Sequence, residues 1–130
     1  MNDSPDRHNP NDKELIFSII LIDAIYLIAF ANRSPTDEQL ELIEEIRENE
    51  SNLQKSKFIN DIISESLEEK LTTDFNHTAN RILMNMSRIV DDQDMCEKII
   101  DYAQQVAIAG GPMTQEVQNL LDRISDALFY

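Results

Sequence analysis

The feature that most constrains this chain is an apolar run at residues 15–31, "LIFSIILIDAIYLIAFA". At roughly 17 residues the run is at the lower limit for a transmembrane helix, and Asp23 stands at its centre, where a charge is costly in lipid. The residues before it, "MNDSPDRHNPNDKE", carry a net negative charge, whereas a signal peptide begins with basic residues. The run therefore predicts a helix buried on nearly all sides in a cytoplasmic protein, preceded by a disordered tail at residues 1–12.

A helix buried on all sides needs other helices around it, and the composition favours them. The chain has 130 residues, a length typical of one domain. Its two glycines and four prolines are too few for the many turns of an all-β fold. We therefore predict an all-α array of about six helices, forming a single domain over residues 13–130.

Capping signals set the predicted boundaries of these helices. Thr36 and Gln39 form a capping box, in which each side chain binds the other residue's backbone amide, and "SNLQ" from Ser51 has the same pattern. Gly110 and Gly111, the only glycines, end the fifth helix, where a left-handed residue is commonly needed. The predicted helix starts are residue 13, Thr36, Ser51, Thr72 or Thr73, residues 91–94 and Thr114. The side chains predicted to be buried in the second and third helices are Leu40, Leu42, Ile43, Ile46, Phe58, Ile59, Ile62, Ile63 and Leu67.

The chain contains an internal repeat, because residues 22–46 align with residues 100–124 without a gap. The identical pairs are Ile22/Ile100, Asp23/Asp101, Ala29/Ala107, Ala31/Ala109, Thr36/Thr114, Glu38/Glu116, Leu42/Leu120 and Ile46/Ile124. In both copies a helix ends on small alanines, a turn follows, and a threonine caps the next helix. The repeat predicts two similar helical hairpins, packed about a rough two-fold axis.

The two turns also carry a resemblance to a known family. They read "ANRSPTDE" at residues 31–38 and "AGGPMTQE" at residues 109–116. Each follows a long apolar helix, and the pattern resembles the TerB-like (tellurite-resistance) helical domain over about residues 13–130. The resemblance implies a helical array with internal pseudo-symmetry and a role in bacterial stress and tellurite resistance.

Metal binding at acidic surfaces has been proposed for the TerB-like family, whose turn usually reads Ala-Asp-Gly. Here Asn32 and Gly110 stand at the aspartate positions, and Arg33 and Gly111 stand at the glycine positions. The absence of both turn aspartates argues against a metal site in these turns.

Two pairs of matched acids are the candidate special positions. Asp23 and Asp101 are predicted to be buried acids, each satisfied by a salt bridge or by a neighbouring helix end, because a buried carboxylate needs a partner. The available cations are Arg81, Arg88, Lys98 and Arg123. Glu38 and Glu116 each lie in the first turn of a helix, where we interpret them as stabilising the helix dipole rather than as cation ligands.

No catalytic group of residues is evident in the sequence. His8 and His77 are far apart in the chain, and Cys96 is the single cysteine, so neither a zinc site nor a nucleophile–base pair is predicted. We therefore predict that the protein is not an enzyme and binds no cofactor or structural metal.

The net charge of −14, from 25 acidic and 11 basic residues, indicates the kind of partner. It excludes direct binding to a nucleic-acid backbone by repulsion, disfavours a membrane surface and favours a protein partner with a basic surface. The predicted contact residues, called here the acidic surface, are Glu41, Glu44, Glu45, Glu48, Glu65, Glu68 and Glu69. The sequence thus predicts an interaction protein. The alternatives are a small acidic inhibitor, immunity-type protein or nucleic-acid mimic, and a divalent-cation-binding stress protein. A homodimer is left open.

Overall fold

The computed structural model describes residues 12–32 and 34–129, which form seven α-helices and no strand. The helices are α1 (Asp12–Ala29), α2 (Asp37–Asn49), α3 (Ser51–Lys55), α4 (Lys57–Thr73), α5 (Phe75–Asn85), α6 (Gln93–Ala109) and α7 (Gln115–Phe129), with a 3₁₀ turn at Met86–Ile89 between α5 and α6. The predicted all-α array is confirmed. The tail predicted at residues 1–12 lies outside the described residues, apart from Asp12, at which α1 begins.

Helix α1 is the centre of the fold. Every residue from 20 to 31 is buried, and α1 packs against each of the other helices, most extensively against α6 and α4. The apolar run is therefore enclosed by protein, as predicted, because only surrounding helices can remove all of its faces from water. None of the described helices is long and apolar enough to cross a membrane.

Three of the predicted helix caps are present. The Thr36 amide donates to Gln39 Oε1 at 3.0 Å and the Gln39 amide donates to Thr36 Oγ1 at 3.1 Å, which is the predicted capping box. Asp92 accepts from the Met95 amide at 3.1 Å at the start of α6. Thr114 accepts from the Val117 amide at 3.2 Å at the start of α7. These bonds satisfy amides that the first turn of a helix leaves free.

The predicted capping box at Ser51 is wrong. The side chain of Glu50 caps α3 instead, accepting from the Asn52 amide at 3.3 Å. The expected third helix is also divided in two at Ser56, whose hydroxyl donates to the Asn52 carbonyl at 3.0 Å, while Asn60 Nδ2 donates to the Leu53 carbonyl at 2.9 Å. These side chains bind carbonyls at the end of α3, so the chain bends there with its backbone satisfied.

The predicted helix start at Thr72 or Thr73 is wrong as well. Both residues continue α4, and their hydroxyls donate to the carbonyls of Glu68 and Glu69, one turn earlier. Helix α5 begins at Phe75. A threonine hydroxyl can bond back to the preceding turn as readily as it can cap the next helix, so residue type alone does not mark the boundary.

Four side chains predicted to lie in the core are exposed: Leu40, Phe58, Ile59 and Ile62. Helix α4 buries Leu67 and Leu71 together with Asn60 and Ser64, all at helical spacing on one face. Phe58 and Ile62 lie off that face and are 77% and 55% exposed. The two polar residues tolerate burial because Asn60 bonds Leu53 and Ser64 donates to the Asn60 carbonyl at 2.7 Å.

The turns of the two predicted hairpins, α1–α2 and α6–α7, lie side by side. Thr114 Oγ1 donates to Asn32 Oδ1 at 3.2 Å, and Gln39 Nε2 donates to the Val106 carbonyl at 3.1 Å. Gly110 allows this approach, because a Cβ there would lie 2.5 Å from Gln39 Nε2. Gly111 has φ +93°, the left-handed conformation predicted after α6.

Candidate functional site

A cavity of about 310 Å³ opens between α1, α4 and α5. It is lined by Ile19, Asp23, Ile62, Ile63, Ser66, Leu67, Lys70 and Arg81, and is called here the Asp23 cavity. Ile19 and Asp23 are one turn apart on α1, so both present their side chains to the same gap. Aliphatic side chains supply most of the wall, and each of the three helices contributes one charged residue.

Asp23 is the buried charge of this cavity, with 3% of its surface exposed. Its Oδ2 atom has no hydrogen-bond partner among the residues that the structure describes. Burial raises the pKa of Asp23 to about 6, and the positive charges of Arg81 and Lys70 act in the opposite direction. The carboxylate is thus held in a poorly solvated position, and the nearby positive charges do not offset the effect of burial on its pKa.

Asp23 was predicted to be satisfied by a salt bridge or by a neighbouring helix end, and it forms no salt bridge within the described residues. Arg81 and Lys70 line the same cavity, but neither is among the ion pairs of the described residues. Both cations belong to exposed residues. A hydrated cation loses solvation when it enters an apolar gap, which accounts for their position at the water-facing side.

The prediction that Asp101 is buried is wrong. Asp101 is exposed on α6, although it matches Asp23 in the repeat. Helix α6 turns Ile99, Ala103 and Val106 into the core, so the intervening residue faces water. The repeat preserves the amino acid but not its surroundings, because α1 is enclosed on all sides and α6 on one side only.

The mouth of the cavity continues into an apolar surface on α4. Phe58, Ile59 and Ile62, called here the α4 apolar patch, are all exposed, and Ile62 also lines the cavity. Residues of this type mark contact sites when they lie together on a surface. The sequence pointed to a core position because the same helical spacing describes either face of α4.

The acidic surface predicted from the sequence is fully exposed. All seven of its glutamates face water, four on α2 and three on α4. None of them takes part in the ion pairs formed within the described residues. Arg47 of α2 joins the two helices, since its guanidinium donates to Asp61 and to Ser64 on α4. Asp61, Glu65 and Glu68 follow at helical spacing on this side of α4, so Arg47 links α2 to an acidic side of α4.

The matched acids Glu38 and Glu116 are exposed in the first turns of α2 and α7. The threonine hydroxyls make the cap bonds beside them, which leaves the glutamates near the positive end of each helix. Within residues 12–32 and 34–129, no group of three or more His, Cys, Asp and Glu side chains is arranged to hold a metal ion.

A buried polar cluster around Glu50 was not predicted. Glu50 is 4% exposed and accepts from the Tyr102 hydroxyl at 3.0 Å and from Lys98 Nζ at 3.4 Å, both on α6. Burial and the hydrogen bond to Glu50 raise the pKa of Tyr102 to about 12. The residues are about fifty positions apart in the chain, and no local pattern connects them.

The fold and these surfaces define a small all-α protein that has an exposed acidic surface and a cavity over a buried carboxylate. Comparison with protein-family models, with curated proteins and with solved structures gave no match to this chain. The likeness to the TerB-like domain stays a prediction from the two turns.

Proposed function

We propose that the protein is a non-enzymatic interaction protein of the TerB-like kind, which binds a basic protein partner in the bacterial cytoplasm. The observation that carries the proposal is the exposure of all seven glutamates of the acidic surface, none of which is in an ion pair within residues 12–32 and 34–129. Like charges at helical spacing repel one another, and a partner that supplies lysine and arginine relieves this repulsion.

The way the acidic surface is held favours recognition of a specific partner. Arg47 ties α2 to α4, and α2 is further held by its capping box and by the Gln39–Val106 hydrogen bond. A rigid arrangement of charges loses little conformational freedom on binding. The net charge of −14 also speeds the encounter with a basic partner at low salt.

The proposal is tested with a variant that removes charge from α2 alone. Its substitutions are Glu41→Gln, Glu44→Gln, Glu45→Gln and Glu48→Gln. Glutamine has nearly the same helix propensity as glutamate, so the variant keeps its helix. The matched control removes the same charge from exposed positions of α6 and α7. Its substitutions are Glu97→Gln, Asp101→Asn, Asp122→Asn and Asp126→Asn.

The assay is affinity capture from a bacterial extract, followed by titration of each purified partner against the three proteins. We expect a partner that is retained by the wild type and the control and lost from the α2 variant. Its dissociation constant should rise steeply with salt, because exposed charges are screened over about 10 Å at 0.1 M. A partner that binds all three proteins equally, or independently of salt, contradicts the proposal. If the partner is an enzyme whose activity falls on binding, the inhibitor alternative is favoured.

A further inference from the structure

The function proposed for the acidic surface gives no role to the Asp23 cavity. A carboxylate at this position opposes folding, because desolvation favours its neutral form and Oδ2 has no partner. The neighbours Ile19, Ile63 and Leu67 would pack against an aliphatic side chain in place of Asp23. A buried acid that lines a cavity and has an unpartnered oxygen points to a ligand that brings a hydrogen-bond donor to this carboxylate.

The charged residues that line the cavity indicate which charged groups the ligand carries. Oδ2 of Asp23 is an unpaired acceptor at the buried side, and Lys70 and Arg81 are exposed cations in the same lining. Asp23 and the two cations line the same cavity but do not form an ion pair with each other. A molecule with an ammonium group beside a carboxylate complements both.

The apolar residues of the lining indicate that the ligand carries an apolar group in addition to its ammonium and carboxylate groups. Ile19, Ile62, Ile63 and Leu67 provide aliphatic contact area, and the described residues that line the cavity include no aromatic ring. The volume of about 310 Å³ is at the small end of the range for ligand pockets, which begins near 300 Å³. A small aliphatic group therefore fits beside the two charges.

We propose that the Asp23 cavity binds a free aliphatic amino acid of the leucine type. Its ammonium group donates to Asp23, its carboxylate lies towards Lys70 and Arg81, and its side chain contacts the aliphatic wall. An aliphatic acid without the amine is repelled by Asp23, and an aliphatic amine without the carboxylate faces the two cations. Of these three kinds of molecule, only the amino acid, which carries both charges, complements both Asp23 and the two cations.

The test is calorimetric or NMR titration of the full chain at neutral pH with three probes. L-leucine carries both charges, 3-methylbutylamine carries the ammonium only, and 4-methylpentanoate carries the carboxylate only. We expect saturable binding of L-leucine and at least about tenfold weaker binding of each single-charge probe, since a hydrogen bond to a charged group accounts for about that factor or more.

Matched variants assign the binding to the cavity. Asp23→Asn should weaken L-leucine binding at least about tenfold, whereas Asp101→Asn, the exposed matched position, should leave it unchanged. The double variant Lys70→Gln/Arg81→Gln should remove the preference for L-leucine over 3-methylbutylamine. Ser66→Trp places a bulky ring at an exposed position of the lining and should abolish binding without disturbing the core.

The outcomes separate clearly. Absence of saturable L-leucine binding overturns the proposal, as does equal binding by wild type and the Ser66→Trp variant. If 3-methylbutylamine binds as tightly as L-leucine, the cavity is an anchor for a cationic group and the amino-acid assignment is wrong. The proposed function of the acidic surface is independent of all these results, because none of the variants alters its glutamates.

Discussion

Replacing Asp23 by asparagine isolates the free energy of burying one carboxylate. The pKa of this group is raised from 3.8 to about 6 by burial, so the folded state favours the protonated form. The stability associated with the neutral form is fully present below the unfolded pKa and is lost as the pH rises through about 6. At about 1.4 kcal/mol for each unit of pKa, the loss above neutral pH is on the order of 3 kcal/mol.

Asparagine has nearly the same shape and never ionises, so the variant escapes this loss. At about pH 5 the wild type has lost roughly half of this stability, and at about pH 7.5 it has lost nearly all of it. The free energy of unfolding of Asp23→Asn, relative to the wild type, should therefore increase by about 1.5 kcal/mol between these two pH values. Both values lie above the isoelectric point of about 4.3, where the net charge keeps the protein in solution.

The assay is urea denaturation followed by circular dichroism at both pH values. Asp101→Asn is the control, because this residue is exposed at the matched position of the repeat. Its effect should stay within about 0.5 kcal/mol at either pH, which separates the burial of Asp23 from the general repulsion of an acidic chain. A stability difference for Asp23→Asn that does not change with pH, or that decreases from pH 5 to 7.5, refutes the reasoning.

Four further substitutions, in two matched pairs, test the contacts around α6 by the same denaturation assay. Gly111→Ala should lower the free energy of unfolding by about 1 kcal/mol, because φ +93° is strained for a residue with a Cβ. Gly111→Asn should lower it less, since asparagine adopts this conformation more readily; equal losses would argue against backbone strain. Tyr102→Phe should cost about 1–3 kcal/mol, because buried Glu50 loses a hydrogen-bond donor. Lys98→Gln should cost less than about 1 kcal/mol, because the Lys98 side chain is half exposed, and a loss as large as that of Tyr102→Phe would contradict this ranking.

The helix caps could be predicted because they are local interactions. Thr36, Asp92 and Thr114 each accept from an amide three residues later, so the whole interaction lies within a short stretch of sequence. The local pattern predicted the wrong cap at Ser51, because the preceding residue, Glu50, caps α3. Glu50 is held there by Tyr102 and Lys98 of a distant helix, and a contact of that range has no signature in the local pattern.

The sequence did not predict which face of α4 is exposed, and the reason is related. Phe58, Ile62 and Leu67 are all apolar, and helical spacing alone does not say which of two apolar stripes faces the core. Asn60 and Ser64 decide the orientation, because each finds a buried hydrogen bond that a pattern of apolar residues does not anticipate. The Asp23 cavity lies between α4, α1 and α5, and exposed Ile62 is at its edge.

The sequence by itself determined that the chain is all-helical, that the apolar run of residues 15–31 supplies the enclosed central helix α1, which ends at Ala29, and that the paired glycines end α6. These features depend on composition, on an uninterrupted apolar run and on bonds between near neighbours. Only the tertiary structure decided that Asp101 is exposed whereas Asp23 is buried as predicted, although the repeat makes them identical. The physical reason is that burial is set by the helices packed around a residue: α4 and α5 lie beside Asp23, whereas Asp101 is on the exposed face of α6.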